Sequence, residues 1–418
     1  MSRLPSLRRA AAALAAASLS LLLASCGGGG GGGSADLATA SVSQGLYPDS
    51  SSLAGMCSLE DQQRWLRSYM DEKYLWNDRI PQVEPADYGT LPAYFDALLA
   101  REPGADGLSL DRFSTSMSTR SADLMQGLAT ASASVVATYS GTKPVPLVRK
   151  LLSGTGRKVG YVLFNEHSKG AQDALIAAFG SLRDDGTQDL VLDLRYNGGG
   201  FLYIAQAAAA MVAGPAAEGK VFESVRYNAR RTAESAAGTF YFSNRVLTAE
   251  TTYGRDHPLP QLNLPRVYVL TSQLTCSASE SIVNSLRGIG VQVILVGDRT
   301  CGKPYGFHRK DNCGQAYFPI EFQVYNAQGY GDYTAGFPVQ CRVQENPRTA
   351  LGVPEEPLLA AALTHIDTGR CPVAASQLAA SAVLQQSADR PSLLDRPEAP
   401  PADSPMFQPG WNGRILQP

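Results

Sequence analysis

From Lys158 onward the sequence alternates short apolar runs with amphipathic ones, and this order restricts the possible folds more than any other feature. Val159–Phe164 is a continuous apolar run and predicts a buried strand. Ala171, Ala174, Leu175, Ala178, Phe179 and Leu182 then mark one face of a helix. Leu190–Leu194 predicts a second buried strand, and the Ala-rich stretch Phe201–Val212 a second helix. Val267–Leu270, Ala278–Leu286 and Val291–Val296 continue as strand, helix, strand. This βαβα order specifies an α/β domain. Phe318–Tyr325 and the Gly/Tyr-rich region to Phe337 predict strands and turns, and Pro357–Ile366 a terminal helix. Residues 214–265 interrupt the alternation and read as an insertion, a β-ribbon or a lid.

Upstream, Leu59, Trp65, Leu66, Tyr69, Met70 and Tyr74 recur at helical spacing. Pro81 breaks that pattern, and Tyr94, Phe95, Leu98 and Leu99 suggest a second helix. These aromatics predict the core of a small helical domain over 57–126. Residues 127–157 read as a linker with two β-prone pieces, Ser134–Tyr139 and Val145–Val148.

The ends are compositionally distinct. Arg3, Arg8 and Arg9 precede a mainly apolar run from Ala10 to Leu23, as in an export signal and too short to span a bilayer comfortably. The run ends in Leu23-Ala24-Ser25-Cys26, which resembles a bacterial lipobox with Cys26 as the lipidated residue. Residues 1–25 are thus expected to be a lipoprotein signal peptide and 26–56 a Gly/Ser-rich tether. Gly27 stands where an Asp would favour retention at the inner membrane, so the expectation is export and lipid anchoring in the cell envelope at the outer membrane. Residues 373–418 form a Pro/Ala-rich tail. The formal net charge of −2 supplies no basic field for nucleic acid. Beyond Cys26, an even set of cysteines remains (Cys57, Cys276, Cys301, Cys313, Cys341 and Cys371), which in an exported chain suggests disulfides. Turn signals between Cys301 and Cys313 make that pair the first expectation, and Cys341 with Cys371 the second. No cysteine or histidine spacing matches a zinc site, so no metal is expected.

Three segments carry chemistry. Asp193-Leu194-Arg195-Tyr196-Asn197-Gly198-Gly199-Gly200 lies between a strand and a helix, where glycines allow close backbone approach. A tight turn explains it equally well, and neither GxxxxGK[ST] nor GxGxxG is present. Thr275-Cys276-Ser277-Ala278-Ser279-Glu280 places a serine at a helix N-terminus, where negative charge is stabilised. The same spacing, Ser277 with Glu280, fits a simple capping box. Gly297-Asp298-Arg299-Thr300-Cys301-Gly302-Lys303-Pro304 holds a lysine on a short loop after a strand. Most lysines are solvated, but a desolvated one can act as a general base.

Together and in this order, the segments resemble those of the C-terminal processing (tail-specific) serine proteases, whose pattern reads D-L-R-x-N-x-G-G, S-A-S-E, then G-x-x-T-x-G-K. The resemblance spans roughly 158–372 and implies a β/α spiral (crotonase/Clp-like) catalytic core with a small N-terminal helical domain. It implies a serine peptidase acting on polypeptides with no cofactor. Ser277 would be the nucleophile and Lys303 its base, with the backbone N–H groups of Ala278 and of Gly199, or alternatively Gly198, as the oxyanion hole. Two departures stand out. Phe307 occupies the position where the family usually has a Gln that orients the lysine. The stretch between Phe113 and Lys158 is too short for the usual PDZ domain. A non-catalytic protein binding apolar ligands or peptides on the same fold is the alternative, and an acyl hydrolase acting on small esters is a third reading.

Overall fold

The computed structural model describes residues 47–104, 107–125, 143–372 and 414–415. In chain order the helices used below are α1 (Ser50–Leu53), α2 (Leu59–Lys73), α3 (Leu91–Ala97), α4 (Thr119–Met125), α5 (Ala171–Asp185), α6 (Leu202–Ala213), α7 (Thr232–Ala237), α8 (Ala278–Gly288) and α9 (Pro357–Thr368). The main strands are β1 (Thr115–Ser118), β2 (Leu147–Leu152), β3 (Lys158–Leu163), β4 (Asp189–Asp193), β5 (Gly200–Phe201), β6 (Val221–Tyr227), β7 (Thr239–Tyr241), β8 (Arg266–Thr271) and β9 (Gln292–Gly297). They are followed by β10 (Tyr305–Gly306), β11 (Lys310–Asn312), β12 (Gln315–Phe318), β13 (Phe322–Tyr325), β14 (Cys341–Arg342) and β15 (Arg414–Ile415).

The central sheet has the order β14-β9-β8-β4-β3-β2, parallel throughout except for the edge strand β2. Successive side chains of a strand point to opposite faces. Val162, Leu190, Leu192, Val267, Val269, Val293 and Leu295 face one way, against α5, α6 and α8. Tyr161, Leu163, Val191, Tyr268, Leu270, Ile294 and Val296 face the other, against Leu358, Leu359, Ala362 and Ile366 of α9. Both faces are covered, which is why these strands are unbroken apolar runs rather than alternating ones.

Two smaller sheets flank this layer. One has the order β10-β13-β6-β7 and is antiparallel, so the insertion at 214–265 contributes β6 and β7 to a packed sheet. The other, β1-β12-β11, joins the N-terminal region to the chain beyond Lys303. The helix α2 is capped by Ser58, whose Oγ accepts from the Asp61 N–H, with Glu60 and Asp61 in its first turn and Lys73 in its last.

The expected helical segment at 57–126 packs directly on the central sheet: Trp65, Tyr69, Phe95 and Phe113 share one hydrophobic cluster with it. Trp65 stacks on Tyr69 at 5.2 Å and meets Tyr317 of β12 at 5.4 Å. The range read as a linker, 127–157, contains β2, which closes the sheet edge along Leu147–Leu152; the piece at Ser134–Tyr139 lies outside the described residues. Cys301 does not pair with Cys313. The disulfides are Cys57–Cys313, Cys276–Cys301 and Cys341–Cys371, with Cα separations of 5.6, 5.2 and 5.3 Å. The segment after Cys301 does form strands, but it carries Cys313 outward to the N-terminal layer while Cys301 stays beside Cys276. Among the described residues no helix is long and apolar enough to cross a membrane.

Candidate active site

The ends of β4, β8 and β9 carry the three motifs, and side-chain to backbone bonds stitch them together. The Thr275 hydroxyl donates to the Leu194 carbonyl at 2.9 Å. The Asn197 carbonyl accepts from the Cys276 N–H at 3.1 Å and from Ser279 Oγ at 3.0 Å. The glycine loop is thereby fixed against the start of α8.

Ser277 is the residue at that start. It is fully buried and adopts φ +57°, ψ −112°, a conformation that residues with a side chain avoid. A serine held on a strained strand-to-helix turn is the arrangement of a nucleophile elbow. Opposite it lies Gly199 (φ +103°), where a Cβ would fall 2.9 Å from Ser277 Cβ and 3.0 Å from the Ala278 nitrogen. Only glycine permits this approach. The Gly199 N–H donates to Asn197 Oδ1 at 3.0 Å, and its carbonyl accepts from the His167 N–H at 3.2 Å. Asn197 Nδ2 donates to the Phe164 carbonyl, so Oδ1 also accepts from His167 Nδ1 at 2.9 Å, which places a proton on that nitrogen.

The lysine loop is joined to the elbow in three ways. The Cys301 N–H donates to the Thr275 carbonyl at 3.0 Å. The Cys276–Cys301 disulfide crosses beside it. The third link is Glu280, on the first turn of α8 and fully buried. Its Oε2 accepts from the N–H groups of Ser277 at 3.0 Å and Lys303 at 2.8 Å. Its Oε1 accepts from Thr300 Oγ1 at 2.6 Å and the Gly302 N–H at 2.9 Å. A single carboxylate oxygen thus lies between the backbones of the expected nucleophile and base. Burial raises the Glu280 pKa above the ordinary carboxylate value, and the four donated hydrogen bonds oppose that rise without cancelling it.

Lys303 is fully buried. Its Nζ lies 4.7 Å from the ring centroid of Phe307 and 5.1 Å from that of Phe113. Phe113 is itself positioned by Asp111, whose Oδ1 accepts from the Phe113 N–H at 3.0 Å and whose Oδ2 accepts from Tyr74 Oη at 2.6 Å. The N-terminal layer therefore forms one wall of the lysine's pocket. Phe307, in place of the family's usual Gln, forms the other.

The remaining part of the first motif is structural. Arg195, fully buried, pairs with Asp193 and makes a bidentate pair with Glu356 at 2.8 and 3.0 Å. Glu356 caps α9 through the Leu359 N–H, so Arg195 clamps that helix to the end of β4. Among the described residues, the metal-like groupings are Cys341/His365/Cys371 and Cys276/Glu280/Cys301. In each, both cysteines belong to a disulfide, leaving no thiolate to bind a metal.

Sequence reasoning found the motifs but not their links. Glu280 was legible as a helix cap, and its Ser277 bond is that cap; its bonds to the lysine loop come from residues twenty and more positions away. Cys276 sits one residue before Ser277 and Cys301 two before Lys303, a closeness to the two expected catalytic residues that could have suggested their pairing. Asn197 belonged to the first motif without an assigned role, and His167 and Phe113 carried no signal of their own. Cys26 lies outside the described residues.

The description "Peptidase family S41" matches residues 158–311, and "Peptidase S41 N-terminal domain" matches residues 61–115. A carboxyl-terminal-processing protease from Picosynechococcus sp. (strain ATCC 27264 / PCC 7002 / PR-6) is 30% identical over 158 residues, covering 38% of this chain and 32% of that protein. The chain thus matches about a third of the length of that curated relative. A solved structure from Bacteroides fragilis NCTC 9343, named among S41 proteases, shares the fold with a TM-score of 0.54 at 22% identity, covering 73% of this chain and 97% of that one. Together the two matched stretches, residues 61–115 and 158–311, place this chain in peptidase family S41.

Proposed function

We propose that the chain is a serine endopeptidase that hydrolyses peptide bonds through an acyl-enzyme formed on Ser277, with Lys303 as the base. The observation that carries this reading is the pair of backbone bonds from Ser277 and Lys303 to the one oxygen Glu280 Oε2. A serine hydroxyl is a poor nucleophile at neutral pH and needs a base held close by. Lys303 in its neutral form takes the Ser277 proton as Oγ attacks the scissile carbonyl. The lysine then delivers that proton to the leaving amine. The Ala278 N–H at the start of α8 donates to the oxyanion. The Gly199 N–H joins it when the substrate carbonyl displaces Asn197 Oδ1. A lost oxyanion donor costs on the order of 3 kcal/mol in related chemistry.

Export and lipidation at Cys26, with the mature chain tethered to the outer membrane, complete the proposal. Mass spectrometry of the mature N-terminus should find a diacylglyceryl cysteine; a start elsewhere in the chain refutes the anchor.

The catalytic reading is tested by cleavage of an unstructured polypeptide. Ser277→Ala and Lys303→Ala should each lower turnover at least about a thousandfold with unchanged circular dichroism. The double variant should lose little more than either one, because residues acting as a unit are not additive. Activity should rise with pH as the ammonium gives up its proton. A folded Lys303→Ala enzyme with near-full activity removes Lys303 from the mechanism. No turnover in the wild type on any peptide or ester favours the binding-protein reading.

A further inference from the structure

The strand β5 emerges directly from the glycine loop, one residue past the glycine that abuts Ser277. One of its sides is satisfied internally: the Phe201 N–H donates to the His167 carbonyl at 2.9 Å, and His167 bridges Gly200 in parallel. The other side is occupied by the chain itself. Arg414 and Ile415 pair with Gly200 and Phe201 in parallel, Arg414 opposite Gly200 and Ile415 opposite Phe201. The same short strand, β15, lies against β10, which begins two residues after Lys303. β15 thus runs between the loop that carries the expected oxyanion donor and the loop that carries the expected base. Ser277 and Lys303 are both closed to solvent in this state.

We infer that the outer edge of β5 is the docking edge for an extended polypeptide, and that residues 414–415 occupy it as an intramolecular competitor of the substrate. The chemistry is strand addition: backbone N–H and C=O groups give the affinity, so the partner is an extended peptide main chain rather than a particular side chain. The register fixes its polarity. The competitor runs in the direction of β5, with Arg414 nearest the glycine loop and Ile415 one step beyond it. A segment of the same chain meets its site intramolecularly, so even a weak strand pairing competes with free peptide. This inference names the substrate edge of the proposed peptidase and rests on that reading for its meaning, but docking itself requires no turnover.

The test uses the full chain. Prolines at both positions, Arg414→Pro with Ile415→Pro, remove the N–H donors that pairing needs. A fluorescent peptide with the sequence of residues 411–418 is titrated into Ser277→Ala protein, with and without the two prolines. The peptide should bind the proline variant at least about tenfold more tightly, a difference of about 1.4 kcal/mol. The same peptide methylated on the Arg414 and Ile415 amide nitrogens should not bind. With Ser277 restored, the proline variant should show a KM for an extended peptide lowered by a similar factor at unchanged kcat. Adding the unlabelled 411–418 peptide should raise that KM again. Equal binding with and without the prolines, or undiminished binding of the methylated peptide, overturns the inference. If binding behaves as expected and no peptide is ever cleaved, the docking edge stands and the peptidase reading fails. If peptides are cleaved and the prolines change neither binding nor KM, the reverse holds.

Discussion

Glu280 occupies a buried position where a neutral side chain should fail. Three of its four partners are backbone N–H groups, which can only donate, and the fourth, Thr300 Oγ1, already accepts from the Phe337 N–H at 2.7 Å. Glutamine at this position must turn its NH2 toward one of those donors. Glu280→Gln should therefore cost about 2 kcal/mol of stability, the price of one buried polar group left without a partner. It should also lower turnover at least about tenfold, since Ser277 and Lys303 lose their common anchor; full activity in the variant contradicts the anchoring role. A second residue gives a pH test. Burial pushes the Glu166 carboxyl up to about 7 from its ordinary 4.5. Between those values the folded chain holds a proton that the unfolded chain has released. Stability from this group is therefore present at low pH and is lost as pH rises through the window. The full shift corresponds to about 3 kcal/mol, and residual solvent contact reduces this to about 2 kcal/mol. Glu166→Gln should gain that much over wild type at pH 8 and nothing at pH 4 in denaturant titrations; an equal gain at both pH values rules out the titration. Ser277 and Lys303 were legible because short local motifs contain them. The clasp was not, because its spacing in sequence is also that of an ordinary cap.

Among the elements, the strands buried on both faces were readable, and the edge strand only at its start, as the β-prone piece Val145–Val148. β2 carries Arg149 and Lys150 at its centre and leaves Leu152 exposed, so its composition resembles a linker. Its strand character comes from pairing with β3 along six residue pairs, a long-range fact. The cysteines show the same limit. Local turn signals favoured Cys301 with Cys313, yet the convergence of β8 and β9 in a parallel sheet brings Cys301 to Cys276. Loop-closure entropy for this 25-residue separation amounts to about 3 kcal/mol. Replacing both cysteines by alanine should lower stability by that amount in chemical denaturation. Turnover should stay within about tenfold of wild type, because the Glu280 bonds and the Cys301 N–H to Thr275 bond still hold the two loops together. A complete loss of activity from a folded double variant would mean that the disulfide, not the carboxylate, sets the geometry.

Across the whole molecule, the N-terminal helices and the sheet they cover share one hydrophobic core. Helical periodicity at 59–74 was plain in the sequence, but the partner of its apolar face was not. That face covers β12, and at its edge four distant parts of the chain meet at Glu321. Tyr69 Oη of α2 donates to Glu321 Oε1 at 3.0 Å. Arg231, just before α7 in the insertion, pairs with Oε2 at 2.6 Å, and His308 Nδ1 lies 3.0 Å from the same oxygen. Burial raises the Glu321 pKa, but His308 and Arg231 outweigh it and hold the carboxyl below its ordinary value. The stability from this junction is therefore present above the ordinary carboxylate range and is lost as pH falls through the lower, folded value. Cys57–Cys313 ties the same two layers covalently across 256 positions. Unfolding followed by tryptophan fluorescence, to which Trp65 at the layer contact contributes, and by far-UV circular dichroism should therefore give one coincident transition. Glu321→Ala leaves Arg231 with Glu234 as its remaining carboxylate and should cost about 3 kcal/mol, shifting both signals together. The cost should shrink below pH 4, where the wild-type carboxylate begins to protonate. Two separated transitions, with fluorescence lost before the helical signal, would instead make the N-terminal layer an independent domain that merely docks on the catalytic core.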